Sequence, residues 1–408
     1  MNQPILRMAL GALACLLLCT AAMAASPAAT DEPEVPAAGT VRFADGRRNS
    51  GWLDFEFFRE QRIFLPARVN GRDTMLLLDS GAEMSVLDSA FAESLGLART
   101  RNVTAKGTGG TQDASFLPAL NVEIGNLRLD GVAAAAVDLS GVSAMVGHAL
   151  PVVLGNEVFA QATIEIDFAQ RRIRFHDPAS FRPPAGFRSL AATHGPEGIR
   201  RIPATLEGEG PLSFDFDLGN GSPVLVSAGH WRREGWLVGR RTAGAFGGGI
   251  GGMQEQRVTR VKSLELAGFR LRDLPATLLP AEVSNPGTSP AAGNLGLPVF
   301  RRFHLVVDYP RDRLLLRPAE DAARPFMHDR SGLYVLREDG ALKVAYVVPE
   351  SAAAQAGWQA GDLIETVNGT PVRALADPGA WRLGQAGTTV RLGMRDGSTR
   401  ALVLADYL

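Results

Sequence analysis

The chain has 408 residues, 46% of them apolar and 21% charged, an ordinary globular composition with length for two to four domains of roughly 100 to 200 residues each. Forty-two basic residues against 43 acidic ones leave a formal charge of −1. The composition excludes wholesale disorder, and the charge balance offers no global basic field for nucleic acid or an anionic membrane.

Residues 1–24 read as a signal peptide: Arg7 precedes the apolar run from Met8 to Leu18, and Ala22-Met23-Ala24 is a small-x-small cleavage site. The run is shorter than the about 20 apolar residues a membrane helix needs. The expected localisation is therefore export, to a bacterial periplasm first and to the medium second. Both cysteines, Cys15 and Cys19, lie in the removed segment. The mature chain is thus expected to have no disulfide, thiol nucleophile or cysteine metal site.

After a mature N-terminal segment, 25–50, the sequence is written twice. Leu154-Gly-Asn-Glu-Val-Phe159 through Ile164-Glu-Ile-Asp167 reappears as Leu295-Gly-Leu-Pro-Val-Phe300 through Leu305-Val-Val-Asp308. Val122 to Leu129 reappears as Leu264 to Leu271, and Leu76-Leu-Leu-Asp79-Ser-Gly81 as Phe214-Asp-Phe-Asp217-Leu-Gly219. Three collinear matches at a nearly constant offset define a first lobe, 51–177, and a second, 194–318. Pro-rich linkers, 178–193 and 319–328, follow each.

Both copies read as β structure, with period-two runs such as Ile164 to Asp167 and Arg172 to Phe175 bounded by Gly, Asn and Pro. The best helix candidate is Ser89 to Leu97 behind an Asp88 cap. Two glycine-rich stretches at equivalent places, Gly107-Thr108-Gly109-Gly110 and Gly247-Gly248-Gly249 running on to Gly252, are expected to be mobile hairpin tips.

In each lobe an acidic residue leaves a buried apolar strand on a glycine-permitted turn: Asp79-Ser80-Gly81-Ala82 after three leucines, and Asp217-Leu218-Gly219-Asn220 in the second copy. The first turn, with Val153-Leu154-Gly155 later in the copy, resembles the active-site and psi loops of the retropepsin and pepsin class of aspartic peptidases. The second copy repeats the psi element in Asn294-Leu295-Gly296. The resemblance implies two acid-protease lobes in a bilobal β-barrel body, with Asp79 and Asp217 as the catalytic pair. Ser80, Gly81, Ala82 and Gly219 would be the supporting loop residues, and the glycine-rich tips the flaps. It also implies a hydroxyl network beneath the pair, to which Ser80 fits and Leu218 does not. Two like charges about 3 Å apart cannot both ionise, so such a pair shares one proton and activates a water. An isolated Asp-Ser-Gly triplet is a common turn; the strand before it, the glycine after it and the second copy make the difference.

The six histidines lack metal-site spacing, no Gly-x-Ser-x-Gly elbow or phosphate-binding loop occurs, and no metal or other cofactor is expected. Trp231 and Trp236 read as packing aromatics.

From Asp329 the pattern changes. Ser331-Gly-Leu-Tyr-Val335, the small-residue run to Ala354, Ala356-Gly357, Gly361-Asp362-Leu-Ile364 and Val367-Asn-Gly369 resemble a bacterial PDZ domain, a small α+β module over 329–408. The resemblance implies capture of a C-terminal peptide, its carboxylate held by the loop Gly332, Leu333 and Tyr334. The whole reads as a mainly β, exported aspartic endopeptidase acting on peptide or unfolded-protein substrates. Two rivals remain open: a degenerate peptidase that binds extended peptides without cutting, and a homodimer pairing Asp79 from each chain.

Overall fold

The computed structural model describes residues 39–195, 198–281 and 291–408. The signal-segment reading and both cysteines lie outside them. Among the described residues no helix is long and apolar enough to cross a membrane.

The fold is mainly β, as the alternating patterns require. Strands of the first lobe form an eleven-stranded sheet and those of the second an eight-stranded one. In the first lobe, strand Arg72–Leu78 ends at Asp79 and pairs in parallel with Val152–Leu154, the psi strand. In the second, Glu209–Asp217 pairs in parallel with Gly293–Gly296. The leucine run before Asp79 is buried on this account: Leu76 and Leu78 are fully enclosed, as are Phe214 and Phe216 before Asp217. Strands covered on both faces read as continuous apolar runs.

The duplicated segments do more than resemble one another. Thr163–Asp167 and Phe303–Asp308 pair antiparallel, Ile164 opposite Val307 and Ile166 opposite Leu305, at the centre of a six-stranded sheet shared by both lobes. One continuous apolar core runs from Ile63 and Leu78 through Ile164 and Leu305 to Phe216 and Val261. Strands at two sheet edges reach beyond the expected lobe boundaries. Strand Arg188–Ala191, inside the first expected linker, extends the shared sheet by pairing with Arg313–Pro318. Strand Thr40–Phe43, ahead of the expected lobe, pairs with Leu127–Val132. In both cases an open sheet edge recruits flanking backbone, because unpaired N–H and C=O groups at an edge are costly to leave bare.

The helix lies at Ser89–Ser94, shorter than expected, with Asp88 accepting from the N–H groups of Ala90 and Phe91. The C-terminal module has its own sheet and its own core, including Leu333, Val344, Trp358, Ile364 and Leu392. It docks on both lobes. Arg59 makes two hydrogen bonds, of 2.7 and 2.5 Å, to the Asp377 carboxylate. The ring of Phe246 stacks on Tyr346 at 5.8 Å, and helix Ser140–Val146 packs on strand Leu333–Glu338.

Candidate active site

The two strand ends bring Asp79 and Asp217 together between the lobes, each pressed against the other lobe's glycine. A Cβ on Gly81 would stand 2.5 Å from Asp217 Cγ, and one on Gly219 would overlap the Asp79 carboxyl group. Only glycine leaves room for two carboxyl groups at this spot, and that is a tertiary reason for the Asp-x-Gly turns.

Each carboxyl is oriented by neutral donors. Gly81 N–H donates to Asp79 Oδ1 at 2.8 Å, and Asp79 N–H donates to the psi residue Leu154 O at 3.0 Å. Asn220 N–H donates to Asp217 Oδ1 at 2.9 Å, and Asn294 Nδ2 to Asp217 Oδ2 at 2.8 Å. Asn220 ties that arrangement together, its Nδ2 donating to Asn294 Oδ1 and its Oδ1 accepting from Ser222 N–H. Burial first, and then the charge of Asp217, pushes the Asp79 carboxyl up to about 8; a hydrogen bond between the two carboxyl groups acts in the same direction. Such a hydrogen bond needs one proton between two acids.

Ser80 is buried and serves the opposite lobe: its Oγ donates to Phe216 O at 3.3 Å and accepts from Leu218 N–H at 2.9 Å. Leu218 can return neither bond and is fully buried in the core instead. The cross-lobe network is therefore one-sided. Ala82 acts through its backbone, its carbonyl accepting from Asn156 N–H at 3.0 Å. Behind the psi loop, buried Glu157 holds Ser85 by N–H and Oγ, each at 2.9 Å. A Cβ on Gly155 would come 2.6 Å from the Met84 backbone, hence the glycine there.

The glycine-rich tips are not free. Hairpin Arg101–Gly107 with Gly110–Phe116 meets hairpin Ala243–Gly249 with Gly252–Leu266 across the cleft. Gly109 N–H donates to Ile250 O at 3.0 Å, and Gln254 Nε2 to Thr108 O at 2.9 Å. Ile250 packs on an apolar cluster of the first lobe that includes Phe64, Leu77 and Leu139. Gly107, Thr108, Gly109 and Gly110 thus lie against the opposite tip, Thr108 beside Gly249 and Gly107 beside Ile250, with Gly247 and Gly248 in the strand that leads to it.

Three residues at the site were given no role of their own from the sequence. Asn294 begins the repeated psi element and signalled itself only by position. Tyr309 is buried beside Ser80, where burial pushes its phenol far above the ordinary range. Arg62, at the head of strand Arg62–Val69, reaches over to the second lobe's loop.

In the C-terminal module the expected carboxylate-catching loop is differently engaged. Gly332 N–H donates to Asp329 Oδ1 at 2.7 Å and Leu333 N–H to Ser331 Oγ at 2.9 Å, while Leu333 O accepts from Arg382. Leu333 is fully buried, and Tyr334 lies half-buried by Phe246 and Tyr346. An internal carboxylate, Asp329, fills part of the role expected for a ligand. Away from the cleft, at the far end of the Asp217 strand, His230 stands with Glu209 and Glu234 in metal-ligand proximity. Arg233 pairs with both acids there. Trp236 is buried and Trp231 packs on the core, its Nε1 donating to Leu279 O.

Residues 65–158 match the aspartyl protease family model, and residues 343–394 match the PDZ domain model. Comparison with curated proteins finds no match. An aspartyl protease domain and a PDZ domain are thus present, and together they suggest a peptidase carrying a peptide-binding module.

Proposed function

We propose that the chain is an exported aspartic endopeptidase, in which Asp79 and Asp217 of one chain hydrolyse a peptide bond beneath two meeting flaps. The observation that carries this reading is the meeting of the two carboxyl groups, each pressed against the other lobe's active-site glycine, with burial and the charge of Asp217 raising Asp79 to about 8. Asp79 carries the shared proton and Asp217 is the base. Asp217 takes a proton from a water, whose oxygen bonds to the scissile carbonyl carbon, while Asp79 gives its proton to the carbonyl oxygen. The resulting diol collapses as the C–N bond breaks, the nitrogen taking up a proton from Asp217 and the diol returning one to Asp79. No cofactor enters this sequence.

Two flaps tied at Gly109 and Ile250 must part to admit a chain. The PDZ domain abuts the second flap through Tyr346 and Phe246, a position suited to presenting peptide to the cleft. The homodimer reading loses its motive, because Asp79 already has an acidic partner in its own chain. The non-cleaving reading rests on Leu218 and Asn220, yet the Asn220 N–H orients Asp217 much as Gly81 orients Asp79.

Incubating the mature protein with a mixed peptide library across pH, read by mass spectrometry, tests this. Cleavage lost in both Asp79→Asn and Asp217→Asn supports it; a wild type that never cuts, or an Asp217→Asn protein that still cuts, rejects it.

A further inference from the structure

The charge of Arg62 acts on both acids of the reacting pair, and it is not spent on an ion pair with a neighbour. Two residues on, Phe64 pairs with Leu77, so the Arg62 end of the strand lies alongside the Asp79 turn. Its guanidinium crosses to the second lobe's loop, where a Cβ on Gly221 would overlap Nη1. Asp217 and Asp79 both attract it electrostatically, but it hydrogen-bonds to neither. Among the described residues its one hydrogen bond runs from Nη1 to Gln61 O at 2.9 Å, and it makes no ion pair. Its neighbours differ: Arg59 is bound to Asp377, and Arg301 to Glu60 and Asp321. Arg62 is only partly exposed, and burial pulls its guanidinium down from its ordinary value.

A guanidinium has five donors in a planar fork matched to a carboxylate. Holding one half out of water with a single neutral acceptor is unfavourable, and a bidentate anion would offset the loss. The acidic pair is not that anion, since it shares a proton and lies beyond hydrogen-bonding reach of the fork. Gly221 leaves the space the guanidinium occupies, and it is the loop position at which the second lobe gains a glycine over the first.

We propose that Arg62 is a specificity-determining residue: it binds a carboxylate of the substrate peptide next to the scissile bond, so the cleft selects peptides bearing an acidic group there. This deepens the endopeptidase reading and rests on it. The carboxylate has two possible sources, an Asp or Glu side chain or a free C-terminus lying in the cleft.

Matched peptides decide the matter, identical except for Glu or Gln at each position flanking the cut, each with a free or amidated C-terminus. With wild type, kcat/KM is expected to favour Glu over Gln by about tenfold or more at one position, the scale of a charge-assisted hydrogen bond. A preference for the free terminus over the amide instead assigns the anion to the chain end. Arg62→Gln should abolish the preference while still cutting the neutral peptide. Gly221→Ala, which displaces the guanidinium without removing it, should weaken it. Equal cleavage of charged and neutral peptides by wild type, or a preference that survives in Arg62→Gln, overturns the proposal. If nothing is cut, the endopeptidase reading fails separately, and fluorescence anisotropy of the same peptides on wild type and Arg62→Gln still decides. Tighter binding of the anionic peptide that depends on Arg62 sustains the subsite; equal or absent binding of both removes it.

Discussion

The Asp79 carboxyl group lies against the α-carbon of Gly219 in the opposite lobe, so closely that any Cβ there would overlap it. Asp217 and Gly81 repeat the relationship from the other side. The two glycines set how near the acids can come, and with it whether they share a proton. Gly219→Ala should therefore cut kcat by at least about 100-fold, the scale of a misplaced reacting group. The far-ultraviolet circular dichroism spectrum should stay unchanged. Activity within a few-fold of wild type would show that the close approach is not needed.

Stability should fall as pH rises, in a window set by Asp79. Its folded value, about 8, lies above the ordinary carboxyl value of 3.8, so the folded state holds the proton more tightly. The associated stability is full below the ordinary carboxyl range and is lost as pH climbs through about 8. Burial raises Glu157 in the same direction. Asp79→Asn should remove the Asp79 part of the slope and melt several degrees above wild type at pH 8, with little difference at pH 4. Identical melting curves for the two proteins across this range would contradict the assignment. Activity, where present, should decline on its alkaline side in the same region.

Ser80 carries the cross-lobe contact alone. Ser80→Ala strips the Leu218 N–H of its acceptor inside the protein, and should lower stability by about 1–3 kcal/mol in denaturant unfolding. It should also depress kcat. Ser80→Thr keeps the hydroxyl and should restore most of both. A neutral Ser80→Ala variant would mean that the Leu218 N–H finds another partner.

The PDZ domain should loosen when Asp377 is removed. The Arg59–Asp377 pair is 14% and 22% exposed, between a surface pair worth up to about 1 kcal/mol and a buried one whose rupture costs about 3–5 kcal/mol. Asp377→Ala is expected to speed amide exchange in Ser140–Val146 and Leu333–Glu338 while leaving Arg72–Leu78 protected. Unchanged exchange at both would show that the aromatic contact at Tyr346 holds the module unaided.

Much of the site was legible because its signals are local. A leucine run ending in Asp79-Ser-Gly, a Gly-bearing psi strand and a second copy in register are patterns within short windows. Asn294, Arg62 and Tyr309 were not legible, since each acts on a partner far along the chain: Asn294 on Asp217, Arg62 beside Gly221, Tyr309 beside Ser80. The flap tips show the same limit, glycine content announcing a turn without showing that Gly109 would meet Ile250.

From residue order alone came the mainly β character, the doubling of the lobe, the change of text at Asp329 and the choice of two aspartates, because alternation, turn residues and repetition are carried by neighbours. Folding in three dimensions decided the rest. It turned the two repeats into one sheet at Ile164 and Val307, pressed each acid against the other's glycine, made the hydroxyl network one-sided at Leu218, and laid the PDZ edge on the body. Proton sharing and the orientation of the Arg62 guanidinium depend on distances of a few ångströms between residues more than a hundred positions apart, and no local window contains them.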